Sequence, residues 1–184
     1  TKFFKRKNIE FTAKRYFIDA LGSMAMGLFA SLIVGLILQT IGKELGLTFL
    51  DEIGTAAIGM MGPAIGIAVA YGLGAPPLVL FASTVTGMAG AAAGGGLGGP
   101  AGAFFAAVIG AEFGKAVSKE TKVDIIVTPA ITLITGIAAA NLAGPGVGWF
   151  MKSLGQIIMT ATELQPIPMG IIVAVLMGLA LTAP

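Results

Sequence analysis

The chain has 184 residues, of which 56% are hydrophobic and only 11% are charged, and its mean hydropathy is +0.95. Soluble domains carry about 25% charged residues, so this composition excludes an ordinary soluble fold and indicates an integral membrane protein. The sequence contains neither cysteine nor histidine, which excludes disulfides, thiolate or imidazole metal sites and the usual nucleophile and base pairs. We therefore expect no metal, no cofactor and no enzymatic activity in this chain.

Residues 1–18 form a basic segment that contains six lysines and arginines, one acidic residue, Glu10, and several aromatic side chains. This mixture predicts a segment that lies on an anionic membrane surface, and it does not favour nucleic-acid binding. Residues 20–42 carry no charge and are long enough to cross a hydrocarbon core of about 30 Å. The positive-inside rule then predicts a cytoplasmic amino end. We divide the chain into this segment and a transmembrane domain at 19–184.

An uncharged tract at 53–111 leads to a segment at 112–124 that contains three lysines. Because the lysines predict a return to the cytoplasm, the tract must cross the membrane an odd number of times. We favour three crossings, at about 53–73, 78–95 and 99–115. One crossing with a re-entrant hairpin satisfies the same rule.

A glycine-rich stretch runs from Gly87 to Gly102 within this tract. It contains the spacing of a dinucleotide-binding loop, but no strand precedes it and no acidic partner follows, so we reject that interpretation. Small residues let membrane helices pack closely, and irregular backbone is tolerated where protein buries it. We expect close packing and at least one broken helix here, at Gly94, Gly96, Gly99 and Pro100.

A fifth apolar run at 125–143 ends at a Gly-Pro-Gly sequence. Residues 149–164 are predicted to form either an amphipathic interfacial helix or one arm of a re-entrant hairpin. The last run, Met169–Pro184, has only sixteen residues, so we expect the natural chain to continue. The predicted fold is an all-α, polytopic membrane protein with about six membrane segments, some of them broken or re-entrant.

Polar side chains at membrane depth are the candidates for a binding site, because such groups are costly in lipid. Prolines inside spans also free backbone carbonyls, as in the broken helices that line transporter sites. Glu163 leads because it precedes a predicted break; Glu112 has the alternative of lying at a helix end beside lysines. Thr128 has the alternative of a hydrogen bond to its own helix. The predicted contacts to a small polar solute are Glu163, Gln165, Pro166, Asn141, Thr128 and Glu112.

Three stretches carry a family resemblance: Gly94–Gly102, Glu112–Pro129 and Gln165–Pro184, the last ending in Leu-Thr-Ala-Pro. Together they resemble the IIC-like membrane proteins of the sugar phosphotransferase system, in particular the toxin-regulator, perfringolysin-regulator-like group. The resemblance covers the whole chain, and the last two stretches are its most specific parts. Members of the family continue beyond the Leu-Thr-Ala-Pro element, which is commonly followed by a serine-rich turn.

The resemblance implies a multi-pass protein of the bacterial inner membrane that binds and translocates a sugar or a similar small polar solute. It also implies re-entrant hairpins, a homodimer and cytoplasmic phosphotransferase components as partners. The phosphorylated histidine and cysteine of such systems would lie on those partners, since this chain has neither residue. A membrane-embedded sensor that binds a solute without transporting it, and a packing protein without a ligand, stay open as alternatives.

Overall fold

The computed structural model describes residues 6, 9, 11–164, 171, 174 and 175, with the backbone alone at 95–98 and 161–164. These residues form helices and turns, and no strand occurs among them, which confirms the predicted all-α class. We number the helices in chain order: α1 Arg15–Leu45, α2 Thr48–Gly59, α3 Met61–Gly72, α4 Pro77–Val117 and α5 Asp124–Leu164.

Helix α1 is one helical element of 31 residues that contains the predicted first span. Two π-helical stretches, Arg15–Ala20 and Phe29–Ile33, interrupt its α-helical hydrogen bonding. The helix ends where Gly46 adopts a left-handed conformation, with φ of 69°. Glycine adopts this conformation without steric cost, and the next amide, of Leu47, donates to the Gly42 carbonyl at 2.7 Å. The turn therefore closes the helix and sends the chain back alongside it.

Helices α2 and α3 are bent by 51° at Met60 and have the length and apolar character of a broken span or a re-entrant loop. They run back along α1, and glycines allow the close approach: Gly35 of α1 packs on Gly54 of α2, and Gly27 packs on the Ala64 carbonyl of α3. A side chain at these positions would collide with the facing backbone. The pair therefore returns the chain to the end of the molecule from which α1 started.

Helix α4 is folded back on itself, although helical hydrogen bonding persists over its 41 residues. Gly90 and Gly102 would lie about 18 Å apart in a straight helix. In the structure a Cβ on Gly90 would collide with the Gly102 carbonyl oxygen, so the two segments lie side by side. The arms are Pro77–Gly94 and Gly99–Val117. Pro100 is the second residue of the second arm, where a missing N–H costs little.

Helix α5 packs against both arms of the α4 hairpin. Gly136 contacts Ala106 of the second arm, and Gly144 contacts Ala93 of the first. The helix does not end at the Gly-Pro-Gly sequence but continues to Leu164, so the separate element expected at 149–164 is instead the end of α5. The physical reason is that Pro145 removes one backbone donor, which bends a membrane helix without stopping it.

Among the described residues, four helical segments are long and apolar enough to cross a membrane: α1, the two arms of α4, and α5. A fifth crossing is obtained if the bent α2–α3 pair is one span. The three segments expected between 53 and 111 correspond to that pair and the two arms of α4. The sixth predicted run, Met169–Pro184, lies outside the described residues apart from three isolated positions. We call the end of the bundle that contains Tyr16, Leu73 and Lys115 the basic end.

Alternating helix direction gives a topology test, because the chain holds no native cysteine. Leu47→Cys introduces a single thiol in the turn after α1, and Thr121→Cys introduces one at the basic end. We expect a membrane-impermeant maleimide to label Leu47→Cys in intact cells and Thr121→Cys only after permeabilisation, following the positive-inside rule. Labelling of both positions from the same side would contradict this topology.

A second test concerns glycine packing. A Cβ on Gly66 of α3 would collide with the Ser83 carbonyl oxygen of α4, whereas Gly59 has no atom within 4 Å of the corresponding position. We expect Gly66→Ala to lower the free energy of unfolding in detergent by about 1–3 kcal/mol through overpacking. Gly59→Ala is the matched control and should leave the unfolding transition almost unchanged. Equal effects of the two changes would argue against close packing of α3 on α4.

Candidate functional site

A buried polar cluster joins three helices at the basic end. The Lys115 ammonium lies 2.8 Å from one carboxylate oxygen of Glu112, and the Tyr16 hydroxyl donates to the other at 3.0 Å. Lys115 also donates to the backbone carbonyl of Leu73 at 2.7 Å. We call these four groups the Glu112 cluster. They connect α1, the end of α3 and the second arm of α4.

The local sequence explains this arrangement. Glu112 and Lys115 are three residues apart on α4, a spacing that places both side chains on one helix face. Helix α3 ends at Gly72, leaving carbonyls without helical partners, and the Lys115 ammonium satisfies the carbonyl of Leu73. A lysine also suits this position because the carboxyl end of a helix carries partial negative charge.

The burial of the cluster is unusual for charged groups. Lys115 is 1% exposed and Glu112 is 9% exposed. Charged side chains at such burial need a partner of opposite sign and further hydrogen bonds. The cluster meets this requirement, because both carboxylate oxygens and the ammonium are engaged. Glu112, predicted as a solute contact, is therefore held by protein groups in this structure.

A cavity of about 350 Å³ opens beside the cluster. Its lining includes the charged side chains of Arg6, Lys115, Lys119 and Glu120, together with Ser118, Gly74 and Pro76. Arg6 and Glu120 form an exposed ion pair at 2.9 Å across its rim. This contact ties the basic amino-terminal segment to the turn that follows α4.

Thr128 and the threonines that follow it make local hydrogen bonds. The Thr128 hydroxyl donates to the Asp124 carboxylate at the start of α5, and Thr132 donates to the Thr128 carbonyl at 2.9 Å. Thr135 likewise bonds the Ile131 carbonyl at 2.7 Å. The side chains of Thr128 and Thr132 are fully buried. Thr132 and Thr135 thus bond the backbone of their own helix, whereas Thr128 bonds a side chain one turn earlier.

Asn141 lies in a different environment, on an exposed side of α5. It lies thirteen positions after Thr128, which corresponds to about 20 Å along a helix. Pro145, four residues further on, has no N–H to donate to the Asn141 carbonyl. A carboxamide and a backbone carbonyl without its helical donor therefore occur together on one helix, between apolar side chains such as Leu142, which is 87% exposed.

The remaining predicted positions are only partly described. Glu163 lies in the last turn of α5 with its backbone alone described, and Gln165 and Pro166 fall outside the described residues. Helical rise places Glu163 about 33 Å beyond Asn141. Among the described residues, the candidate contacts Thr128, Asn141 and Glu163 are therefore spread along α5, and Glu112 lies on α4.

The glycine positions lie where two helices meet. Gly94 packs on Gly102 of the second α4 arm, and a Cβ on Gly148 of α5 would collide with the Gly94 carbonyl oxygen. A Cβ on Gly99 would lie at van der Waals distance from the end of Met61 and from the Ala91 carbonyl oxygen. Gly96 belongs to the segment that joins the two arms, and Pro100 follows the reversal.

Sequence reasoning missed Lys115 and Tyr16 as members of a site. Lys115 was assigned to a cytoplasmic segment, and Tyr16 to a surface-bound amino end. The Glu112 to Lys115 spacing was the available signal, since it places opposite charges on one helix face just inside a predicted span. No sequence pattern indicated that the ends of α1 and α3 meet at that face.

The cluster gives a third prediction. Lys115→Met leaves the Glu112 carboxylate buried without its cation, and we expect a loss of about 3–5 kcal/mol in unfolding free energy. Adding Glu112→Gln to Lys115→Met should restore part of that loss, measured as a double-mutant cycle in detergent. Arg6→Gln removes an exposed ion pair and serves as the control, with an expected effect below about 1 kcal/mol. Similar losses for Lys115→Met and Arg6→Gln would contradict a buried, paired Lys115.

Comparison with known proteins adds one finding to this geometry. Residues 18–184 match the family described as "Phosphotransferase system, EIIC". No curated protein and no solved structure matches the chain. The match covers all five helices from the first turn of α1 onward and agrees with their length and apolar character. The chain belongs to the phosphotransferase system EIIC family, whose members are membrane components of sugar transport and not enzymes.

Proposed function

We propose that the chain binds a sugar or a closely related polar solute and translocates it across the bacterial inner membrane. Membership of the EIIC family supports the transport role. Phosphoryl transfer, where it accompanies transport, falls to cytoplasmic phosphotransferase partners, because this chain has no histidine or cysteine to carry a phosphoryl group. The amino-terminal basic segment would lie on the cytoplasmic side, in agreement with the positive-inside rule.

The observation that carries the solute assignment is the pairing of Asn141 with Pro145. A backbone carbonyl without a donor is costly in lipid, as is an exposed carboxamide. A solute rich in hydroxyl groups satisfies both, because each hydroxyl can donate to the carbonyl and accept from the amide. In this proposal Glu163, Gln165 and Pro166 extend the binding path at the far end of α5. Thr128 and Glu112 would contact the solute at the basic end only by exchanging the protein partners that hold them in this structure.

A sensor function is the second candidate. The Arg6 to Glu120 ion pair and the Tyr16 to Glu112 hydrogen bond connect the amino-terminal segment to α4. Movement of α4 on solute binding would therefore change the position of the basic segment, and a cytoplasmic partner that binds this segment would respond to the change. This candidate shares the solute site with the first and differs in having no net transport.

Uptake measurements separate the two candidates. The chain is reconstituted in proteoliposomes and tested against a panel of labelled sugars and sugar alcohols, with binding followed in parallel by thermal unfolding in detergent. Uptake of a solute that also raises the unfolding temperature supports transport. A solute that raises the unfolding temperature without any uptake supports the sensor, and no response to any member of the panel opposes both.

Asn141 provides the residue-level prediction. We expect Asn141→Ala to weaken solute binding and initial uptake by about 10-fold, because a solute hydroxyl then loses its hydrogen-bonding partner, at a cost of about 1–3 kcal/mol. Leu142→Ala changes the adjacent exposed residue of α5 and should leave both quantities unchanged. Unaltered uptake and binding in Asn141→Ala would remove this residue from the site.

A further inference from the structure

A second cavity lies on the other side of the Glu112 cluster and has a different chemical character. It is a groove of about 380 Å³ between the start of α1 and the second arm of α4. Its walls include Phe11 and Tyr16 on one side and Val108, Phe113 and Ala116 on the other. Phe11 and Phe113 are 67% and 52% exposed, so the groove opens on the outer surface of the bundle.

The walls of this groove suit hydrocarbon and not a sugar. The polar groups of its lining belong to Tyr16 and Glu112, which are bonded to each other. The second oxygen of Glu112 is held by Lys115. A hydroxyl-rich ligand would therefore lose its water without gaining matching hydrogen bonds, whereas an acyl chain needs none.

The charge around the groove indicates the headgroup. Lys14 is exposed and Arg15 is partly exposed, and both directly precede Tyr16 in α1. They belong to the basic segment at 1–18, which contains six cationic residues and one acidic residue, Glu10. Basic residues beside a membrane helix attract anionic lipids. Each adds to the electrostatic binding free energy while it lies within a Debye length of the membrane surface.

We propose that this groove is a binding site for an anionic phospholipid. One acyl chain lies between Phe11 and Phe113, and the headgroup phosphate contacts Lys14 and Arg15. The chain also packs against the Tyr16 ring, whose hydroxyl holds Glu112. Lipid binding thus stabilises the connection of α1 to α4, and an anionic lipid does so better than a zwitterionic one.

The experiment uses the purified, delipidated chain in a neutral detergent. Phosphatidylglycerol and phosphatidylcholine with identical acyl chains are added in turn, and the apparent unfolding temperature is recorded. We expect phosphatidylglycerol to raise it by about 5 °C or more at saturation and phosphatidylcholine to raise it much less. Soluble glycerol phosphate, which has the anionic group without acyl chains, should have no effect.

Two sets of variants locate the site. Ala116→Phe fills the groove and should abolish the phosphatidylglycerol effect, whereas Leu142→Phe, at an exposed position on α5, should retain it. Lys14→Gln with Arg15→Gln should remove the preference for phosphatidylglycerol over phosphatidylcholine, and Lys152→Gln, an exposed lysine far along α5, should not.

Three results would overturn the proposal. The first is an equal response to the two lipids in the unmodified chain. The second is a phosphatidylglycerol effect that survives in Ala116→Phe. The third is an unfolding temperature that depends on protein concentration and not on lipid, which would assign the groove to contact with a second copy of the chain. If Ala116→Phe fails to fold, the comparison of the double variant Lys14→Gln with Arg15→Gln against Lys152→Gln still decides the headgroup assignment.

Discussion

Direct contact between helix backbones is the constraint on which the arrangement of this bundle depends. Lipid tails are as apolar as leucine side chains, so hydrophobic burial alone does not hold membrane helices together, and close van der Waals packing must contribute. Glycines supply the required proximity at successive contacts: α1 with α2 at Gly35, α3 with α4 at Gly66, and the two α4 arms at Gly90 and Gly102. Each contact brings a carbonyl within reach of a facing Cα, where even one methyl group would not fit. The result is a bundle whose large apolar side chains, such as Phe29, point outward.

This packing also explains how a lysine and a glutamate can be buried at the basic end. When α1, α3 and α4 approach closely, water is excluded from the space between their ends, and any charge left there needs partners within the protein. Lys115 meets a carboxylate and a helix-terminal carbonyl, and Glu112 meets a cation and a phenol. A pair of this kind contributes little net stability compared with apolar side chains, but it penalises any arrangement that separates its members. It therefore fixes how three helix ends are positioned relative to one another.

The sequence predicted the helices well because runs without charge are a strong signal when every crossing needs about 20 apolar residues. It placed the first span within α1 and the reversal before Pro100. It was wrong about the region after Asn141, where the helix continues through a Gly-Pro-Gly sequence to Leu164. The Glu112 cluster could not be predicted in full, because two of its members are distant in sequence. Tyr16 lies 96 residues before its partner Glu112, and Leu73 lies 42 residues before its partner Lys115. Spacing within one helix indicated only the Glu112 and Lys115 pair.

The two faces of α5 differ, because one packs on the α4 hairpin and the other carries Asn141, the proposed solute contact. Gly136 and Gly144 lie against the α4 hairpin, so this face has no space for a solute. Asn141 lies on an exposed side of the same helix, where Pro145 leaves its carbonyl without a helical donor. In the proposed function, the glycine-rich stretch therefore contributes to solute binding indirectly. By holding α5 along the hairpin, it sets the direction in which Asn141 points, and any solute recognised there would meet a polar group on a helix that the hairpin supports from behind.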